Sequence, residues 1–313
     1  MNYGALIFLA GFFALASSWC GFVLTPQLQL GRLRQANTLG SGSTLYPSQS
    51  PGLAQQGLEV YRANGCASCH SQQVGQTGTL VDVALLEAGT NQAATVAALL
   101  QLAKPDAGEQ ALALTPLAPL KGSGLSVAST NLLEGLPKAF LRGDSRKAAS
   151  AAVKILDATG AKAQIWIVPD GPDIARGWGR RRTVAEDFLY TAPVMPGSVR
   201  VGPDLANAGA RLPDANWHLR HLYAPRAEVK GSAMPPYRFL FEQRKIKDRP
   251  SPEALVLPGE LAPPPGYEIV PRPEALALAA YLTSLRADAP LFAAPLTAPV
   301  AAKAAATATA SAK

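Results

Sequence analysis

The chain has 313 residues, enough for about one to three domains, and it carries a formal net charge of +7. Its basic side chains are scattered, apart from short clusters at residues 180–182 and 244–247, and no long basic run is interleaved with aromatic residues. This pattern argues against a nucleic-acid-binding protein and is typical of a solvated basic face or of a surface near anionic lipid.

The first predicted element is an apolar run at residues 3–24 that contains no charged side chain. A membrane-spanning helix needs about 20 apolar residues, so the run predicts an anchor within residues 1–27. A cleaved signal peptide is the alternative, but its apolar core is usually about 7–15 residues long and follows a basic start, which this run lacks. Arg32 and Arg34 follow the run and, by the positive-inside tendency, would keep the rest of the chain in the cytoplasm.

A polar linker at residues 35–55 leads into a predicted helix at 54–64 and then to Cys66-Ala67-Ser68-Cys69-His70. This C-x-x-C-H pattern predicts covalent attachment of haem c, in which both thiols bind the porphyrin and His70 supplies one axial ligand. A structural zinc site would need about four Cys or His ligands, but the chain has only three Cys and three His. A thioredoxin-like site or a simple disulfide between Cys66 and Cys69 would leave His70 unexplained.

Residues 80–169 predict alternating strands and helices. A strand, a turn and a helix start fit residues 81–91, and a second strand ends near Phe140 after a helix. A further helix is predicted at 145–158 because its apolar residues fall on one face, and a last strand is predicted at 160–167.

Residues 170–245 are rich in Gly, Pro, Trp and Arg and predict irregular chain with short helices. They hold the candidates for the second axial ligand of the iron. Met195 and Met234 are each followed by proline, which restricts the backbone of the methionine, and the residues alone leave this choice open. His218 and His221 are weaker candidates, since packed or hydrogen-bonded histidines are more common than ligands.

The last part of the chain divides into three predicted segments. Prolines are dense at residues 249–273 and predict an extended loop. Pro273 then opens a helix whose leucines recur at helical spacing. The tail at 289–313 is rich in Ala, Pro and Thr and predicts disorder.

Four of these features together resemble the mono-haem cytochrome c subunit (FixO/CcoO type, subunit II) of cbb3-type haem–copper oxidases. The features are the amino-terminal anchor, the haem motif followed by Ser71-Gln72, the Gly202-Pro203-Asp204-Leu205 segment that continues to Pro225-Arg226, and Ser232-Ala233-Met234-Pro235-Pro236-Tyr237. The resemblance spans residues 1–78 and 172–286.

The resemblance implies one covalently bound haem c, attached through Cys66 and Cys69, with His70 and Met234 as axial ligands and no catalytic residue. It implies relay of single electrons from another c-type cytochrome, on a partner subunit or soluble, to haem b of the catalytic haem–copper subunit. A free-standing membrane-anchored carrier, or a haem enzyme with an open axial site, is the alternative.

The resemblance also implies a location. The chain would cross the bacterial inner membrane once, in contact with lipid, with its globular domain in the periplasm. This orientation opposes the charge tendency of Arg32 and Arg34, but large domains translocate largely regardless of charge.

The stretch at 80–169 interrupts this resemblance. It is similar to the C-terminal domain of the ribosomal large-subunit stalk protein, an α+β fold with three strands and three helices, through residues 86–91 and 133–165. Asn91-Gln92-Ala93 stands where the factor-recruiting helix of that family would carry lysines, which argues against a ribosomal role. The stretch therefore predicts either an interaction module with an unknown partner or an inert loop insertion.

The predicted fold class is mainly α, with a cytochrome c fold interrupted by the small α+β domain. The predicted domains are the transmembrane anchor (1–27), the linker and first part of the cytochrome c domain (28–79), the inserted α+β domain (80–169), the second part of the cytochrome c domain (170–288) and the disordered tail (289–313).

Overall fold

A computed structural model describes residues 3–38, 44–104, 114–121 and 124–291. The chain divides into two compact units, each built from segments that are not contiguous in sequence. The first unit draws on residues 1–71, 183–202 and 214–284, and the second unit draws on residues 72–182, 203–213 and 285–313.

The elements are numbered in chain order within the described residues. The helices are α1 (Gly4–Trp19), α2 (Thr25–Gly31), α3 (Gly52–Ala63), α4 (Gln92–Leu102), α5 (Arg146–Asp157), α6 (Pro172–Ala175), α7 (Ala208–Arg211), α8 (Ala215–Tyr223), α9 (Pro225–Glu228) and α10 (Pro273–Ser284). The strands are β1 (Ala36–Asn37), β2 (Leu45–Tyr46), β3 (Gly78–Glu87), β4 (Leu114–Pro116), β5 (Lys138–Gly143), β6 (Lys162–Asp170), β7 (Phe241–Lys245) and β8 (Tyr267–Pro271).

One helical run at the amino terminus is long and apolar enough, by length and composition, to cross a membrane. It covers Gly4–Gly31 and joins α1 to α2 through a π-helical turn at Cys20–Leu24. The turn lies just before Pro26, which has no N–H to donate, and the Thr25 hydroxyl donates to the Cys20 carbonyl oxygen at 2.8 Å. The predicted apolar helix is therefore observed, and it continues past the apolar run to Gly31.

In the first unit, α3 packs directly against α10. Gly57 permits this contact, because a Cβ at that position would lie 2.6 Å from the Ala277 carbonyl carbon and 2.7 Å from the Tyr281 Cβ. The rings of Tyr61 and Tyr281 meet at a centroid distance of 5.3 Å. Both helices agree with the sequence prediction, including the proline that opens α10.

The first unit also contains an antiparallel strand pair, β7 and β8. Phe241 pairs with Pro271 and Lys245 pairs with Tyr267. The sequence predicted irregular chain and an extended loop here, and that prediction is wrong at these positions. The strands are held by pairing between distant segments and by the buried Ile269, and the local density of proline gives no sign of either.

The second unit is built on a four-stranded antiparallel sheet with the strand order β4-β5-β3-β6. Helices α4 and α5 contribute to one hydrophobic core with the sheet, whose fully buried members include Val83, Leu85, Leu99, Phe140 and Leu156. The burial of these side chains supplies the main stabilisation of this unit.

A charged pair lies within this sheet. Asp82 on β3 is buried, and Arg142 on β5 binds it through two bonds, Nε to Oδ1 at 2.6 Å and Nη2 to Oδ2 at 2.8 Å. The hydrogen bonds to Asp82 raise the pKa of Arg142 above its usual value. The two residues are also direct partners in the strand register, so the pair favours this alignment of β3 with β5.

Strands β3 and β6, which begin and end the segment at residues 78–170, pair along their length. Gly78 lies opposite Asp170 and Leu85 lies opposite Ala163. The N–H of Thr77 donates to the Asp170 carbonyl oxygen at 2.9 Å. The two ends of the segment therefore lie side by side, as the ends of domains often do.

The predicted elements of residues 80–169 are largely observed. The strand, turn and helix start are β3 and α4, the later helix is α5, and the last strand is β6. The helix expected before the second strand is only a 3-10 turn at Thr130–Leu133. Strand β4 is additional: it has three residues including Pro116, too few to show an alternating pattern.

Because of these sheets, the observed fold class differs in part from the predicted one. The described residues mix helices with small sheets, so the prediction of a mainly α chain holds only in part. The predicted linker at 35–55 contains the short β1–β2 pair. The predicted disordered tail at 289–313 lies outside the described residues from position 292, and before that point Leu291 is buried.

Replacing Gly57 by alanine tests the contact between α3 and α10. The new methyl group would overlap the backbone of α10, and overpacking of this kind costs about 1–3 kcal/mol. We expect Gly57→Ala to lower the thermal unfolding midpoint by several degrees, whereas Gly52→Ala in the same helix, with nothing within 4 Å, should not lower it. Equal midpoints for the two variants would contradict the observed packing.

Candidate functional site

The C-x-x-C-H segment follows α3 as a tight turn. Gly65 adopts a left-handed φ of 65°, which lets the chain leave the helix, and a 3-10 turn then covers Cys66–Ser68. The N–H groups of Cys69 and His70 both donate to the Cys66 carbonyl oxygen, at 3.1 and 3.0 Å. The local hydrogen bonds thus gather both thiols and the imidazole on a single turn.

Both thiols of this segment are free, Cys66 partly buried and Cys69 exposed. Burial raises the pKa of the Cys66 thiol to about 11, and the charge of Cys69 adds to the rise. Cys66 is therefore protonated at neutral pH. A structural zinc site needs about four Cys or His ligands, whereas this turn supplies two thiols and one imidazole, the set that covalent attachment of haem c uses.

The imidazole of His70 lies directly against the backbone of Gly202. A Cβ at that position would lie 2.7 Å from Nδ1 and 2.9 Å from Nε2 of the ring, so a larger residue at 202 would displace the His70 ring. The Gly202 N–H donates to the Cys69 carbonyl oxygen at 3.0 Å. The segment that ends at Gly202 therefore restricts the orientation of the His70 ring.

The same segment wraps the motif at two further points. Gly197, with a left-handed φ of 74°, leaves no room for a Cβ, which would lie 2.8 Å from the Ser71 Cα. The Arg200 Nε donates to the Ser71 hydroxyl at 2.8 Å. Sequence reasoning cited Gly202 only as part of a motif and missed Gly197 and Arg200, because their partners are more than a hundred positions away.

Met234 lies half-buried in the loop at residues 231–237. The Met234 N–H donates to the Ser232 hydroxyl at 3.3 Å, and the Tyr237 N–H donates to the Leu222 carbonyl oxygen at 2.8 Å. Burial raises the pKa of Tyr237, and the charges of Cys66 and Cys69 contribute to the rise. The loop that carries Met234 therefore lies close to the two thiols.

Met195, the other candidate, is also half-buried. It lies two residues before Gly197, in the segment that packs on the backbone of His70 and Ser71. The two methionines therefore lie on different segments around the motif, one in the segment against His70 and one in the loop tied to the end of α8.

Helix α8 adds a histidine pair. His218 is buried, and the His221 ring stacks on Trp217 with centroids 4.8 Å apart and planes 8° apart. Burial lowers the pKa of His221 to about 4, and the charges of His218 and His70 add to this effect. His221 is therefore neutral at pH 7. Its Nδ1 is buried and has no hydrogen-bond partner among the described residues.

Arg181, from the basic cluster at 180–182, and Arg211 have separate environments in the second unit. Arg181 is fully buried and donates to the Ala289 carbonyl oxygen at 2.7 Å, so its role is structural. Arg211 donates to the Asp204 carbonyl oxygen, and burial lowers its pKa. Asp204 is itself buried and accepts from the Gln73 N–H at 2.7 Å.

Comparison with known protein families gives one match within the chain. Residues 171–257 match the family described as cytochrome c oxidase, mono-heme subunit/FixO. The matched segment contains Gly202, His221 and both candidate methionines, but it does not reach the C-x-x-C-H motif. No curated protein matches the chain. The match supports a FixO-type mono-haem subunit and gives no support to the ribosomal-stalk resemblance of residues 80–169.

The residues present fit a covalently bound haem c. The turn offers two free thiols and an imidazole, and a loop with a methionine thioether lies close by. Gly202 provides a cradle for the His70 ring that a Cβ would fill. The buried Nδ1 of His221 gives the site an additional unsatisfied polar atom.

Replacing Gly202 by alanine tests the cradle. The added methyl group would occupy the space of the His70 ring, so we expect less covalently attached haem per protein and weaker axial ligation in what is attached. Haem staining and the absorption spectrum of the purified chain measure both. Gly78→Ala, where nothing lies within 4 Å, serves as the control, and equal haem content in both variants would refute the cradle.

Proposed function

We propose that this chain is the electron-transfer subunit of a cbb3-type haem–copper oxidase, carrying one haem c. The observation that carries the proposal is the family match at residues 171–257, in combination with a C-x-x-C-H turn whose histidine lies on a glycine of that matched segment. Haem c supplies a reversible one-electron change at its iron.

In this proposal the motif residues hold the group covalently. Cys66 and Cys69 would hold the haem through two covalent thioether bonds. His70 would bind its iron, and Gly202 would orient the His70 ring.

Met234 is the proposed second axial ligand. The segment of Met195 packs on the backbone of His70 and Ser71. The loop of Met234 is instead tied to α8 by the bond between Tyr237 and Leu222. The segment at residues 232–237 that contains Met234 is also part of the resemblance to the mono-haem subunit, and this favours Met234.

If His70 and Met234 both bind the iron, it would have no position free for oxygen, so the chain would relay electrons without reducing oxygen itself. The donor in this proposal is another c-type cytochrome, on a partner subunit or soluble. The acceptor is haem b of the catalytic haem–copper subunit, where oxygen is reduced. A free-standing carrier, or a haem enzyme with an open axial site, is the alternative.

The apolar helix Gly4–Gly31 supports a single-pass anchor in the bacterial inner membrane. We propose that the globular part lies in the periplasm, where partner cytochromes would reach it. Residues 80–169 are proposed as an inserted module with an unknown partner. The paired ends of its sheet, β3 and β6, support an insertion that leaves the flanking chain in place.

Paired methionine variants test the axial assignment. In the haem-loaded protein, Met234→Leu should abolish the sulfur-to-iron charge-transfer band and lower the midpoint potential, because a thioether ligand favours ferrous iron. Met195→Leu should leave both unchanged. The reverse pattern would assign the ligand to Met195, and an open axial position in the unaltered protein would favour the haem enzyme.

Purification from native membranes tests the proposed complex. We expect a band that stains for haem on a denaturing gel near 32.6 kDa and that co-purifies with a catalytic haem–copper subunit with several membrane spans. A stained band that purifies without such a subunit would leave a haem c protein but would overturn its assignment to an oxidase.

A further inference from the structure

His221 is a half-buried histidine whose Nδ1 atom is buried and whose hydrogen-bonding capacity is incompletely used. One face of its ring lies on the Trp217 indole in a near-parallel stack. Its Nδ1 is enclosed and has no partner among the described residues. Leaving a buried polar atom without a hydrogen-bond partner is destabilising, so Nδ1 is available for a bond with a further group.

The surroundings of His221 limit where such a group can be. One face of the ring is covered by the Trp217 indole and Nδ1 is enclosed, so a partner for Nδ1 must come from the structure that surrounds it. Its ring is neutral at pH 7 and therefore carries one N–H.

A backbone hydrogen bond connects His221 to the loop of Met234. Leu222, the next residue, accepts from the Tyr237 N–H at 2.8 Å. Pro235 and Pro236 separate Met234 from Tyr237 and restrict the intervening chain. The loop is thus held against the end of α8 where His221 lies, and a methionine sulfur is a weak hydrogen-bond acceptor.

We propose that His221 is a positioning residue for the second axial ligand, with its Nδ1–H donating a hydrogen bond to the Met234 sulfur in the haem-loaded protein. This inference rests on the proposed function. Such a bond withdraws electron density from the sulfur and weakens its donation to ferric iron more than to ferrous iron. It therefore raises the midpoint potential and makes the ferric iron–sulfur bond easier to break at high pH.

The first experiment uses the haem-loaded full chain in detergent, with His221→Phe as the test variant. Phenylalanine keeps a flat ring for Trp217 but has no donor. We expect a lower midpoint potential. We also expect the pH at which the charge-transfer band disappears to rise by about one unit, a tenfold change that corresponds to about 1.4 kcal/mol.

His221→Gln is the matched control because its amide can restore the donor. It should return the potential and the band-loss pH most of the way toward those of the unaltered protein. If His221→Phe retains the band with the potential and band-loss pH unchanged, the inference fails. If only the pH dependence of the potential changes, the acceptor is a haem carboxylate, and the assignment to Met234 is overturned.

A second measurement needs no variant. In the reduced, diamagnetic protein with ¹⁵N-labelled histidine, a slowly exchanging Nδ1–H of His221 should show a nuclear Overhauser effect to the Met234 methyl group. Absence of this contact would overturn the inference. Absence of the charge-transfer band in the unaltered protein would instead overturn the axial assignment in the proposed function, so the two failures are distinguishable.

Discussion

The close approach of the His70 ring to the backbone of Gly202 is the contact on which the arrangement of the site depends. Any side chain at position 202 would have to displace the imidazole, since a Cβ there would overlap it. The bond from the Gly202 N–H to the Cys69 carbonyl oxygen fixes the same two segments to each other. A histidine ring in this position is restricted by its neighbour, and orientation of ligand side chains by their neighbours is a general feature of metal sites.

Burial determines the chemistry of the groups around that contact. The Cys66 thiol and the His221 imidazole both have pKa values shifted toward their neutral forms, to about 11 and about 4. A site that keeps its titratable side chains neutral has a low local dielectric, and this is one of the properties by which a protein sets the potential of an iron centre. The stack of Trp217 on His221 contributes to the same exclusion of water.

The first unit is assembled from segments that the second unit separates in sequence. The helix before the motif, α3, packs on the last helix, α10, through a glycine that lets their backbones touch. In the second unit, β3 and β6 are the first and last strands in chain order and they pair with each other. The bond from the Thr77 N–H to the Asp170 carbonyl oxygen brings the two ends of this segment together. A domain with adjacent ends adds little constraint to the chain on either side, which explains how a long segment can separate the motif from Gly202.

The sequence by itself determined the features that depend on local pattern. The spacing of Cys66, Cys69 and His70 identified the motif, the uncharged apolar run identified the amino-terminal helix, and helical periodicity located α3, α5 and α10. The candidates for the second ligand were also visible, because methionine is rare in this chain. These features depend on neighbours within a few positions, so reading along the chain is sufficient to find them.

Only the tertiary structure decided the features that depend on distant contacts. The strands β7 and β8 and the short β4 are defined by their partners and have no clear pattern of their own. Arg181 looks like one of three surface arginines in sequence, yet it is buried and donates to the Ala289 carbonyl oxygen. The roles of Gly57 and Gly202 follow from what a Cβ would meet across the fold. The physical reason is that steric exclusion and burial are set by atoms far away in the chain, and no local pattern records them.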